Sequence, residues 1–219
     1  MAVRGRYNAS FERGVFHVEV RGVHFFVAHL NAHDSSARAR ETAVLAELVR
    51  NSSRGGSRVV VMGDLNTLSP LDARAHANLT LDGLPFVEAL STRWCYKALR
   101  RKFLTTTTAA GGGGRGSGGR PKTIVDYRPM QNILDAGMVD LSRDRRPTEP
   151  TAIPCDQAGA CPCPHLRLDY MLYHDGGAAG VARGHAELSA AAEVVIDDET
   201  ALLSDHYPIE GHFELPPGL

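Results

Sequence analysis

The stretch Arg58-Val59-Val60-Val61-Met62-Gly63-Asp64-Leu65-Asn66 decides how this chain is read. The unbroken apolar run from Val59 to Met62 suits a strand covered on both faces, as in a sheet lying between other layers. Gly63 closes the run, and polar residues follow at the strand tip. Residues two apart in an extended segment project to the same side, so Asp64 and Asn66 point one way while Leu65 packs the other. The strand therefore presents chemistry at its rim.

The reading extends outward from there. Upstream, Val15 to Val20 alternates apolar and polar residues, and Arg21-Gly22 makes a turn. Val23 to Leu30 is almost wholly apolar, which predicts a hairpin of one half-exposed and one buried strand. Asp34, Ser35 and Ser36 offer N-cap oxygens to a helix over 37–50. Its periodicity places Val44, Leu45, Leu48 and Val49 on one face, with Arg38, Glu41 and Glu47 elsewhere. Downstream, helices are expected over 71–78 and 128–138, and strands over 166–173, 194–196 and 207–213. Strands and helices alternate without internal repeat, so the class is α/β. The Thr- and Gly-rich residues 105–120 read as a flexible surface insertion within a single domain spanning 1–219.

Composition narrows the function classes. With 219 residues, 43% of them hydrophobic and 22% charged, the chain can bury a sizeable core. No apolar run approaches the roughly 20 residues that cross a bilayer, so no transmembrane segment is expected. Residues 1–20 show no signal-peptide pattern. A net charge of -1 excludes a generic, strongly basic nucleic-acid binder. Sequons at Asn8, Asn51 and Asn78 carry meaning only in the secretory route; with no signal pattern visible their chance occurrence ranks first, and cytoplasmic and secreted readings stay open. Four cysteines are too few for a disulfide scaffold. For Cys155, Cys161 and Cys163, with His165 nearby, a plain loop ranks first. A disulfide from Cys155 to Cys161 or Cys163 ranks second, and a zinc site last, because the spacing is not that of a usual finger.

Four polar marks stand where apolar strands end. They are His29 in His29-Leu30-Asn31, the pair Asp64 and Asn66, Asp169 within Arg167-Leu168-Asp169-Tyr170, and Ser204-Asp205-His206-Tyr207-Pro208. A carboxylate amid apolar neighbours is costly unless paired or metal-bound, so Asp169 needs a partner. His206 is the best candidate, since an Asp–His pair fixes the imidazole tautomer and stabilises its charged form. Asp64 and Asp205 are hard oxygen donors of the kind Mg²⁺ takes, and Asn66 adds a neutral carbonyl. Together these groups can hold a divalent ion, orient water and stabilise charge on a phosphate.

These marks, in this order, resemble the endonuclease/exonuclease/phosphatase superfamily, the fold of DNase I. Its Thr-His-Leu motif matches Ala28-His29-Leu30, and its Gly-Asp-(Leu/Phe)-Asn matches Gly63-Asp64-Leu65-Asn66. Its Arg-(Ile/Leu)-Asp-Tyr matches 167–170, and its Ser-Asp-His-x-Pro matches 204–208. The resemblance implies a four-layer α/β sandwich of two packed mixed sheets flanked by helices. It implies a hydrolase of phosphodiester or phosphomonoester bonds that uses Mg²⁺ or Mn²⁺. His206 would contact the phosphate or activate water, with Asp169 orienting it. Asp64 and Asn66 would position water, bind phosphate or ligate an ion. Asp205 would ligate metal, and His29 would steady the phosphate or leaving group.

The family opens with an Asn-bearing strand and a Glu that is its principal metal ligand. Neither can be placed here, because Glu12 precedes a turn and Glu19 lies on the half-exposed strand. The chain is therefore expected to be the C-terminal portion of such a domain, from an N-terminally truncated gene model. The competing class is an inactive remnant or binding domain of the same fold. Thr67 stands where inositol-phosphate 5-phosphatases carry Arg, which disfavours that branch, and Leu65 stands where abasic-site enzymes carry Phe. The sequence is closer to the sphingomyelinase-like and uncharacterised hydrolase branches. A nucleic acid, a phospholipid head group or a small phosphodiester is the expected substrate, and a monomer the expected state.

Overall fold

The structure is a computed structural model that describes residues 1–107, 121–142, 145–148, 163–177, 191–197, 200 and 204–212. Strands β1 (Ala2–Tyr7), β2 (Val15–Val20) and β3 (Val23–Ala28) lead into helix α1 (Ser35–Ser53) and strand β4 (Arg58–Asp64). Then come α2 (Ala73–Asn78), β5 (Thr80–Leu81), β6 (Leu84–Pro85), α3 (Phe86–Thr92), α4 (Lys97–Phe103), β7 (Leu104–Thr107) and β8 (Lys122–Val125). The chain continues through α5 (Arg128–Leu134), β9 (Val139–Asp140), β10 (Asp169–His174), β11 (Ala192–Val194) and β12 (Ile209–Gly211).

A six-stranded mixed sheet runs in the order β1-β2-β3-β4-β10-β9. β1 to β3 form an antiparallel meander, and β4 returns parallel to β3 through α1. A parallel neighbour needs such a crossover, which is why a helix stands between these two strands. β10 then pairs antiparallel with β4.

Cross-strand pairs share a face, so the register sorts the core. Val59, Val61, Leu65, Tyr170 and Leu172 pack with Phe26 and Ala28 under α1 and α5. Val60, Met171 and Tyr173 pack on the other side with Val23 and Ala192, and Ile209 of β12 joins them. A β11–β12 ladder thus covers part of that second face. A third cluster, around Phe86, Leu90, Tyr96 and Phe103, holds α3 and α4 to the segments at Leu68 and Leu166.

Several expectations are corrected. β1 is a strand that the sequence reading did not include. The strand from Val23 is only half covered, with Val27 43% exposed, because the β11–β12 ladder reaches only its first part. Thr105 to Thr107, expected in the flexible insertion, pair with β8, and 108–120 lie outside the described residues. The last strand is Ile209–Gly211 rather than 207–213.

Arg38 and Glu41 are buried on α1 instead of facing away. The Arg38 guanidinium donates to Asn31 O at 2.6 Å and to Lys102 O. Glu41 accepts from the backbone N–H groups of Asn31 (2.7 Å) and Glu12 (2.8 Å). Both side chains are hydrogen-bonded to backbone of neighbouring segments, the Asn31 and Glu12 loops and the end of α4, although Arg38 Nε is left without a partner among the described residues. Among the cysteines, Cys163 is disulfide-bonded, which removes both its free-thiol and zinc readings, and so is Cys95. Cys155 and Cys161 lie outside the described residues.

His17 is buried against Phe26, with ring centroids 4.2 Å apart, and its Nε2 meets His24 Nδ1 at 3.0 Å. Burial, then the nearby His24 and Arg4, lowers its pKa against the pull of Glu19. A histidine with a lowered folded pKa costs stability as pH falls below its unfolded value of about 6.5. Thermal melts of the wild type should therefore drop between about pH 7.5 and 5.5, and His17→Phe should flatten that slope. An unchanged slope in the variant would remove His17 from the acid sensitivity.

Candidate functional site

β4 and β10 place Asp64 directly opposite Asp169. Directly opposite residues of an antiparallel pair project to one face, so two carboxylates look at each other across the strand tips. The face is the one that the β11–β12 ladder covers further along the strands.

Gly63 makes the neighbouring approach possible. Its φ is +122°, and a Cβ there would stand 2.2 Å from Ala28 O, so only glycine lets β3 and β4 close up at this point. Leu30 N–H then donates to Asp64 O at 3.0 Å, and His29 Nε2 lies 3.4 Å from Asp64 Oδ2. Asn66 takes a left-handed φ of +49° and is 2% exposed. Its backbone N–H donates to Asp64 Oδ1 at 2.8 Å, and its Nδ2 donates to Asp64 Oδ2 (2.9 Å) and Leu30 O (3.1 Å). Asn66 therefore clamps the carboxylate with both donors of its amide group engaged.

Thr148 gathers the other side. Its Oγ1 accepts from the backbone N–H groups of Leu168 (3.0 Å) and Asp169 (3.2 Å), while its carbonyl accepts from Tyr207 N–H at 2.8 Å. This ties the segment ahead of β12 to the start of β10. It brings His206 Nδ1 to 2.6 Å from Asp169 Oδ2. With Asp169 accepting, the proton belongs on Nδ1, and Nε2 becomes the ring atom that takes or gives one. Tyr170 OH lies within hydrogen-bond distance of Thr67 O (2.9 Å) and Arg167 O (2.8 Å), sharing its one proton between the segments on either side.

Asp64 has its pKa raised, first by burial and then by the charge of Asp169. The Asn66 N–H, His206 and His29 pull in the opposite direction. Asp64, Asp169 and His206 offer ligand atoms that all lie within 4.8 Å of one another. The two opposed carboxylates are hard donors that fit a divalent cation, which would relieve the Asp169 repulsion that adds to burial in raising Asp64, while His206 Nε2 is left for proton transfer.

The structure thus brings His29, Asp64, Asn66, Asp169 and His206 together. It does not bring Asp205, which is exposed, accepts from Ser204 Oγ at 3.3 Å and stands outside the cluster. Glu12 accepts from the Asn31 side chain and Glu19 pairs with Arg4, so neither joins it. Thr148 was missed, and no signal in the sequence separates it from other loop threonines. A cleft of about 590 Å³, walled by Asp72, Arg74, Arg145, His165 and Arg167, lies against the segment that leads into β10, and none of the five site residues lines it. Arg167 in its wall is paired with Asp72 and Asp140, and Arg145 lies 4.0 Å from Asp72, so much of the cationic charge there is already matched by carboxylates of the protein.

No family model and no curated protein matches the chain. Among solved structures it is similar to the 3'-5' exonuclease NExo of Neisseria meningitidis, with a TM-score of 0.50 and 20% identity over 92% of this chain. It spans 65% of the length of that exonuclease. A structure described as an endonuclease/exonuclease/phosphatase family protein from Leptotrichia buccalis aligns over 92% of this chain and 53% of its own, at 16% identity and a TM-score of 0.40.

Gly63→Ala tests the close approach behind the site. Positive φ and the clash with Ala28 O should destabilise the protein by about 3 kcal/mol or more, a fall of roughly 6–12 °C in Tm. A melt within 2 °C of wild type would mean that β3 and β4 do not meet here.

Proposed function

The chain has the DNase I-like fold of the endonuclease/exonuclease/phosphatase superfamily, and from that premise we propose that it hydrolyses phosphodiester bonds with a divalent metal. One observation carries this reading. Asp64 and Asp169 face each other across β4 and β10, with His206 held 2.6 Å from Asp169.

Water attack on a phosphodiester needs a base for the water, compensation for charge on the phosphorus oxygens, and help for the leaving group. His206 Nε2 serves the attacking water or the phosphate, and Asp169 keeps the ring oriented and stabilises its charged form. His29, beside Asp64, steadies the phosphate or the departing oxygen. Asn66 acts through Asp64 as a positioning residue. Asp64 and Asp169 supply hard oxygen donors for Mg²⁺ or Mn²⁺, which when bound neutralises charge on the transferred phosphoryl group. The substrate is a phosphodiester: a nucleic acid, a phospholipid head group or a small molecule.

The assay is release of p-nitrophenol from bis(p-nitrophenyl) phosphate. Release should require Mg²⁺ or Mn²⁺ and stop with EDTA. His206→Ala and Asp169→Asn should each lower kcat/KM by about 10²–10⁴-fold without changing the melt. Turnover that is indifferent to metal, or unaltered in His206→Ala, would overturn the proposal.

A further inference from the structure

The six asparagines of the chain divide into two sets. Asn31, Asn66 and Asn132 all use their side chains. The Asn31 oxygen accepts from the N–H groups of His33 and Asp34, Asn66 clamps Asp64, and Asn132 Nδ2 donates to Ala39 O and Thr42 Oγ1. None of these is followed by x-Ser/Thr. Asn8, Asn51 and Asn78 are the reverse. Each is exposed, none makes a side-chain hydrogen bond among the described residues, and each heads Asn-Ala-Ser, Asn-Ser-Ser or Asn-Leu-Thr.

Their places are also surface ends of elements. Asn8 follows β1 and opens a turn in which Phe11 N–H reaches its carbonyl. Asn51 lies in the last turn of α1. Asn78 ends α2, and the chain leaves it extended through Leu79 into Thr80. All three side chains are exposed, so a glycan would extend from them into solvent.

An independent feature points to the same compartment. Cys95 and Cys163 are both disulfide-bonded. Structural disulfides persist where the surroundings are oxidising, which is where asparagine acceptors meet the glycan donor.

We propose that this protein matures in an oxidising secretory compartment and carries N-linked glycans at Asn8, Asn51 and Asn78. The donor is a polyprenyl-diphosphate-linked oligosaccharide. Asn Nδ2 bonds to the sugar C1, the C1–O bond to the diphosphate breaks, polyprenyl diphosphate leaves, and one amide proton goes to a base of the transferase. Asn78 also borders the arginine-walled cleft, so its glycan stands at the rim of that cleft.

The test uses the protein isolated from its own cells. Peptide-N-glycosidase should raise its gel mobility, and tryptic peptides should then carry Asp at positions 8, 51 and 78. In host cells, Asn8→Gln, Asn51→Gln and Asn78→Gln should each remove one step of the mobility ladder. Peptides with unmodified Asn at all three positions before glycosidase treatment would overturn the proposal. So would Cys95 and Cys163 that alkylate without prior reduction. Neither readout depends on hydrolytic activity.

Discussion

Asp64 and Asp169 are held opposite each other at the open end of two paired strands, and much of the local structure serves to maintain that opposition. Two like charges with ligand atoms within 4.8 Å of one another repel by roughly 3 kcal/mol at an effective dielectric of about 20. Burial makes the pair costlier, and the raised Asp64 is the visible consequence. A fold keeps such an arrangement when something positive shares the space. His206 supplies part of it, and a divalent ion would supply the rest.

The pairing stands on a scaffold of specific parts. The register of β4 and β10 sets which residues oppose. Gly63 lets the tip of β3 approach, so that His29 arrives from the side. Thr148 joins two segments that are far apart in sequence and presents His206 to Asp169. On α1, Arg38 and Glu41 hold the backbone at Asn31, just beyond His29. Each part is a hydrogen-bonded or sterically defined contact.

Much of this was legible in the sequence because strand-tip chemistry leaves a local mark. An apolar run closed by Gly63 announces both the strand and the exposed end that carries Asp64 and Asn66. Asp169 amid leucines asks for a partner, and His206 is the one that meets it. Asp205 stands outside the group that Asp64, Asp169 and His206 form, and a carboxylate beside a histidine reads the same in sequence whichever way it points. Arg38 and Glu41 misled for a different reason. Charged residues are assigned to water by default, and only tertiary contacts with loop backbone reverse that. The disulfide bonding of Cys95 was unreadable, since pairing depends on segments that meet only in the folded chain. β1 was missed because Arg4 and Arg6 alternate with small residues, and its strand character comes from pairing with β2.

The most direct measurement is a Mn²⁺ titration of the ¹⁵N-labelled protein by NMR. Paramagnetic broadening should appear first, and together, at the signals of Asp64, Asn66, Asp169 and His206, and Asp64→Asn should abolish it. Broadening that begins elsewhere, or that reaches Asp64 while leaving His206 sharp, would contradict a single shared site.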